Sequence, residues 1–309
     1  MRDVIFGTAH LFGLADEATS LALLDRAWDV GVRRYDTAPS YGLGRSEVRL
    51  GEVLRRRSEP VFLTSKVGLA PPIGPAGARR LAKQAAALLP ASARQRLRGK
   101  VQSASRGQFS VPEVRASLQT SLTRLGRVDR LLLHEVEPDD ITPELLELLG
   151  AWVARGDVGA VGVATRNEHT AAVLSRAPDL LTVVHVEAGV LSSPVALPPS
   201  VRVRVGHGLL GPGGEHLRRL RDVLASRPQL HSEWSDAVRD TPYDGPGGLA
   251  AAMLTASGAT GVDEVIVATT RIAVLQDSCR QAAALEQLPT AVSRVLTALT
   301  AAAAAQPAA

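Results

Sequence analysis

A chain of 309 residues that is 45% hydrophobic and 21% charged can bury a core of its own, which excludes a disordered tail or a peptide-sized module. Its single cysteine, Cys279, excludes an intramolecular disulfide framework and any zinc site that needs two thiolates. The net charge of +4 is local: Val67 to Pro112 holds Arg79, Arg80, Lys83, Arg94, Arg96, Arg98, Lys100 and Arg106 and no acidic residue, so the remainder is a mildly acidic globule.

In chain order, Val4-Ile5-Phe6 opens as a short strand, and no leader is expected before it. Leu21, Leu24, Trp28 and Gly31 then share one helical face, with Asp16 placed to cap its start. Strands are predicted at Gly31 to Tyr35, Val61 to Thr64, Val128 to Leu133, Val158 to Val163, Leu181 to Val186, Val201 to Val205 and Glu264 to Val267. Ser110-Val111-Pro112-Glu113 is a capping box opening a helix to about Leu125. Thr142-Pro143-Glu144 sets a capping hydroxyl and an N1 proline before Leu145 to Val153. Further helices are expected near His169 to Arg176, Glu215 to Ala225, Gly248 to Ser257 and Ile272 to Leu285. A last one near Ala291 to Leu299 leaves a flexible Ala-rich tail at 300–309.

Eight strands alternating with helices over about 300 residues are what a (β/α)8 barrel requires, and one such domain over residues 1–309 is the expected α/β fold. The first βα turn, Gly7 to Gly13, lacks the GxGxxG spacing, which disfavours a dinucleotide-binding open sheet. Two connections are long: a basic insertion at 67–108, read as a lid with a helix near Arg79 to Leu89, and a loop after the seventh strand from Gly206 to about Pro246. Trp234, in that loop, is either a pocket residue or core. No uncharged apolar run of about 18 residues occurs, so a membrane span is not expected, and a cytoplasmic location is.

Barrel chemistry sits at the C-terminal ends of strands. Asp36, Lys66 and His134 stand there on the second, third and fourth, and Tyr41 follows in a turn-rich loop able to bring its phenol over the mouth. Lys66 buried alone would be costly, and Asp36 on the neighbouring strand supplies the compensating charge. A cation beside Tyr41 favours the phenolate, easing proton donation and recovery near neutral pH, while His134 can donate a hydrogen bond to a substrate oxygen. Together they make a proton-transfer site for a carbonyl or an alcohol. His10, His207 and His216 show no metal-ligand spacing, and no metal is expected. Cys279 reads as a small buried hydrophobe.

These residues resemble the aldo-keto reductases. The likeness runs through Gly7-Thr8-Ala9, Tyr35-Asp36-Thr37-Ala38-Pro39-Ser40-Tyr41-Gly42 with Ser46-Glu47 and Leu50-Gly51, Thr64-Ser65-Lys66, and Leu131-Leu132-Leu133-His134. It continues more weakly through Gly159 to Val163 and Val265 to Thr270. The resemblance implies reduction of an aldehyde or ketone by NADPH, with NADH possible, or the reverse oxidation of an alcohol. Tyr41 would be the general acid, Lys66 and Asp36 the pair that tunes it, and His134 the residue that orients the carbonyl. It assigns cofactor contacts to Thr8, Thr165, His185, Thr269, Thr270, Arg271, Gln276 and Ser278. The family's Ser-Asn after the fifth strand is here Ala164-Thr165. Its glutamine on the sixth is His185, its stacking aromatic is Ala188, and its last-turn glycine is Ala268.

Those departures motivate a second reading, a dehydratase or isomerase using the tetrad for proton transfer without hydride. A third is a nucleotide-sensing protein on the same fold. The expected partner is a small carbonyl substrate, anionic or carrier-bound if the basic insertion guides it. Nucleic acid is not expected, since the basic residues lack interleaved aromatics.

Overall fold

The structure is a computed structural model and describes residues 3–69, 107–257, 261–283 and 287–305. Eight parallel strands close into a barrel in sequence order: β1 (Asp3–Gly7), β2 (Arg34–Asp36), β3 (Phe62–Val67), β4 (Arg130–His134), β5 (Ala160–Ala164), β6 (Leu181–Glu187), β7 (Val203–His207) and β8 (Glu264–Val267), with β8 returning to β1. The expected fold is therefore the observed one. Every predicted strand is present; β2 begins later than expected because Gly31, at φ 88°, and the bond from Val32 N–H to the Ala27 carbonyl still belong to the preceding helix's end.

The helices are α1 (Glu17–Asp29), α2 (Ser46–Leu54), α3 (Val111–Leu125), α4 (Pro143–Arg155), α5 (Asn167–Leu174), α6 (Glu215–Ser226), α7 (Pro228–Val238), α8 (Gly248–Ser257), α9 (Ile272–Ala283) and α10 (Thr290–Ala304). The starts of α1, α3 and α4 follow the capping chemistry. The Asp16 carboxylate accepts from Thr19 N–H at 2.8 Å, Ser110 and Glu113 close their capping box, and Thr142 Oγ1 accepts from Leu145 N–H at 3.2 Å before the N1 proline.

Two expectations are corrected. The connection after β7 holds, besides the expected helix α6, a second one, α7, and Trp234 on α7 is buried against α6 and α10 in a second apolar cluster with Leu220, Val223 and Leu299, so it is a core residue. The tail does not fray at Thr300: α10 continues to Ala304, with Ala302 and Ala303 buried and the Ala303 carbonyl accepting from Arg219. Alanine is the strongest helix former, and here it also has a surface to pack on. The basic residues of the insertion and its predicted helix, at 70–106, lie outside the described residues, as do 306–309.

Inside the barrel, Ile5, Leu132, Val183 and Val205 form a buried apolar layer. Below it Arg130 on β4 makes a two-pronged ion pair with Glu264 on β8, with Nη2 to Oε1 at 2.9 Å, and Arg34 approaches the same carboxylate at 3.5 Å. Both guanidinium groups lie over the Phe62 ring, at 4.6 and 4.7 Å. This floor closes the N-terminal end and leaves the reactive layer at the other.

Candidate active site

Barrel register sets the site. Asp36 pairs with Thr64, Lys66 with Leu132, His134 with Ala164, and Ala164 with His185, which brings the C-terminal ends of β2 to β6 to one level. Lys66, 2% exposed, points inward and donates to Asp36 Oδ1 at 2.6 Å and to the Thr37 carbonyl at 2.9 Å. Burial pushes the Asp36 carboxyl upward, and Lys66 brings it only part of the way back. Burial also pulls the Lys66 ammonium down, but Asp36 and Tyr41 more than offset this and hold it above its ordinary value.

Tyr41 opens a short turn, Tyr41–Gly44, whose next three residues all have positive φ: Gly42 at 55°, Leu43 at 60° and Gly44 at 87°. At Gly42 a Cβ would lie 2.5 Å from Ser46 Oγ and 2.8 Å from the Leu11 carbonyl, so position 42 must be glycine for space as well as for backbone angle. This turn folds the half-buried phenol back over the barrel. The Lys66 ammonium lies 4.7 Å from the Tyr41 ring centroid, and the Tyr41 and His134 rings meet edge to face at 5.7 Å. The four predicted catalytic residues thus come together, with Asp36, Lys66 and His134 buried and Tyr41 reaching solvent.

The predicted cofactor residues divide. His185 lies 2% exposed on β6, its Nδ1 at 3.8 Å from Asp36 Oδ2; its Nε2 and that Asp36 oxygen have no hydrogen-bond partner. Burial, then the Lys66 charge, pulls its imidazole far down, so the ring is neutral. Thr269, Thr270 and Arg271 form the exposed or half-exposed turn into α9, where Arg271 N–H donates to Thr269 Oγ1 at 3.1 Å. Ser278 lies half-buried on α9. Three residues make hydrogen bonds within the protein. Thr8 Oγ1 donates to the Asp36 carbonyl at 3.1 Å and Thr165 Oγ1 to the Val136 carbonyl at 2.8 Å, while Gln276 Oε1 accepts from Arg26 on α1 at 2.5 Å. Those hydroxyl protons and that amide oxygen tie loops and helices together.

His207 was legible only as a loop histidine. The strand extends two residues past Val205, and the inward alternation of Val203 and Val205 carries His207 into the same mouth. Burial, then Lys66, pulls its imidazole down to about 4.

The sequence profile of the aldo/keto reductase family matches residues 3–190. The chain belongs to the aldo/keto reductase family. The match ends before β7, so the last two strands stand outside it. A D-threo-aldose 1-dehydrogenase from Pseudomonas sp is 33% identical over 168 residues, 50% of this chain and 44% of that protein. A pyridoxal 4-dehydrogenase from Microbacterium luteolum is 46% identical over 65 residues, 20% of this chain and 19% of that protein. The matched segments therefore span less than half of these curated relatives. Among solved structures, the glycerol dehydrogenase of Gluconobacter oxydans superposes with a TM-score of 0.66 at 18% identity, covering 99% of this chain and 94% of that one. The holo form of a Bacillus halodurans aldo-keto reductase gives 0.62 at 17% identity, covering 96% and 91%. At those identities the likeness concerns the fold.

Enzymes of this family generally use a nicotinamide cofactor, and one feature of the mouth is compatible with it. A buried imidazole nitrogen without a partner, beside the Asp36–Lys66 pair, is the kind of atom that a carboxamide satisfies. Among the described residues no group of three His, Cys, Asp or Glu side chains is arranged to hold a metal ion, and no helix is long and apolar enough to cross a membrane.

Proposed function

We propose that the chain is an NADPH-dependent oxidoreductase, with NADH as the alternative donor, that reduces an aldehyde or ketone or oxidises the corresponding alcohol. The observation that carries this reading is the buried Asp36–Lys66 ion pair set beneath the ring of Tyr41, with His134 at its edge.

The bound cofactor supplies or accepts the hydride. The protein's own residues handle the proton. His134 donates a hydrogen bond to the substrate oxygen and sets its direction toward Tyr41. The Tyr41 phenol gives its proton to that oxygen in reduction and takes it back in oxidation, and the fixed ammonium of Lys66 stabilises the phenolate left behind. Asp36 keeps Lys66 in place and charged. His185 would hold the carboxamide, Thr269, Thr270 and Arg271 the phosphates at the start of α9, and Ser278 the adenine side.

Hydroxylated aldehydes are the first substrates to test, since the names of the two curated relatives are those of an aldose dehydrogenase and a pyridoxal dehydrogenase. The competing reading, proton transfer without hydride, draws on Ala164 and Ala188, where side chains that would seat nicotinamide are cut back to methyl groups. Titrating the protein with NADPH and with NADH, and following nicotinamide fluorescence, separates the two. Saturable NADPH binding together with aldehyde-dependent loss of nicotinamide absorbance is expected. Absence of binding by either nucleotide at millimolar concentration would overturn the oxidoreductase reading.

A further inference from the structure

Glu47 is a fully buried carboxylate that the proton-transfer scheme does not use. It sits in the first turn of α2, the helix that begins where the Tyr41 turn ends. Its Oε1 accepts from Ser65 Oγ and from Ser121 Oγ, each at 2.7 Å, and its Oε2 accepts from Arg124 Nη1 at 3.0 Å. The donors come from two other elements: Ser65 is the residue before Lys66 on β3, and Ser121 and Arg124 lie on α3.

The alternation of a strand gives this connection its meaning. Lys66 points into the barrel and binds Asp36; Ser65, one residue earlier, points outward and binds Glu47. The same strand end is thus held from both sides. The helix carrying Glu47 has little freedom of its own, because a Cβ on Gly51 would lie 2.0 Å from the Arg124 carbonyl oxygen, which also accepts from Arg55 Nη1 at 2.9 Å. A buried carboxylate costs desolvation that a packed apolar side chain would not. What it adds is direction: two hydroxyls and a guanidinium on three sides admit one placement of α2 against β3, and through α2 one placement of the Tyr41 turn.

We propose that Glu47 is a positioning residue, which fixes the separation of Tyr41 from Lys66 by gripping the β3 strand end from outside the barrel. The inference rests on the proposed role of Tyr41 as proton donor. Loosening the grip lets the phenol drift from the ammonium that stabilises its phenolate. A displacement of about 1 Å in such a site can cost roughly a hundredfold in rate. Loss of one strand of a three-way grip is expected to cost about tenfold.

The test uses Ser65→Ala, which leaves Glu47 bound to Ser121 and Arg124, and Glu47→Gln, which keeps the volume and removes the charge. In both, kcat falls about tenfold while KM for the carbonyl and Kd for NADPH stay at wild-type values. The alkaline limb of the kcat profile moves to higher pH. The Tyr41 phenol, followed by near-ultraviolet phenolate absorbance as the difference between each protein and its Tyr41→Phe counterpart, titrates later in the variants than in the wild type. If both variants fold and the phenol titration and pH profile stay where the wild type has them, Glu47 is only a brace and the proposal fails. The phenol titration needs no turnover. A shifted phenol in a protein that reduces nothing would therefore uphold the grip and sink the reductase reading instead.

Discussion

His207 gives a prediction whose size follows from its surroundings. Its imidazole titrates near the ordinary histidine value of 6.5 in the unfolded chain and is pulled down to about 4 in the folded mouth, first by burial and then by the Lys66 ammonium. Between those two values the unfolded chain holds a proton that the native state refuses, so stability must fall as pH falls through this window and level off below it. At about 1.4 kcal/mol per unit, the interval amounts to about 3 kcal/mol of acid destabilisation from this one residue. In a domain of this size that corresponds to a melting shift on the order of 5 °C. Other groups titrate over the same range, so the measurement is a difference. Urea unfolding of the wild type and of His207→Gln is compared near pH 7 and near pH 4.5. The variant should lose about 2 to 3 kcal/mol less than the wild type on acidification. Parallel losses in the two proteins would mean that His207 is not held neutral, and the account of a mouth too dry and too positive for a second cation would fall with it.

Three further outcomes follow from the same geometry. Tyr41→Phe should lower kcat by about a hundredfold to ten-thousandfold with unchanged melting and retained NADPH binding; turnover near the wild-type rate would show that another group donates the proton. Lys66→Met strands the buried Asp36 carboxylate and should cost roughly 3–5 kcal/mol in urea unfolding, a loss that adding Asp36→Asn should partly restore. Arg130→Met, at the barrel floor beneath the apolar layer, should cost about 2–3 kcal/mol, less than Lys66→Met because Arg34 still faces the buried Glu264 carboxylate, yet leave kcat and KM unchanged for the folded protein. A catalytic defect there would contradict the separation of floor from mouth.

Much of the barrel was written in local pattern. Short β-branched runs mark the strands, and cap residues such as Asp16, Ser110 and Thr142 mark helix starts, because each depends on residues only a few positions away. The same local logic put Asp36, Lys66 and His134 at strand ends. Two more local signals stand in the chain: Pro228 at the first turn of α7, and the alanine run from Ala301, a strong helix former.

What the chain alone could not state were distances between residues far apart in it. Nothing local shows that Asp36 divides its two oxygens between Lys66 and the neighbourhood of His185, or that the hydroxyls of Thr8 and Thr165 are spent on main-chain carbonyls. In the sequence Glu47 stands only as part of the Ser46-Glu47 likeness, and only closure of the barrel brings it Ser65, Ser121 and Arg124. The cause is physical. Periodicity and capping are near-neighbour properties, and they determined the fold and set Asp36, Lys66 and His134 at strand ends. Desolvation and charge coupling depend on atoms supplied by other strands, and these decided which histidines stay neutral, which threonines bond main-chain carbonyls and how Tyr41 is held above Lys66.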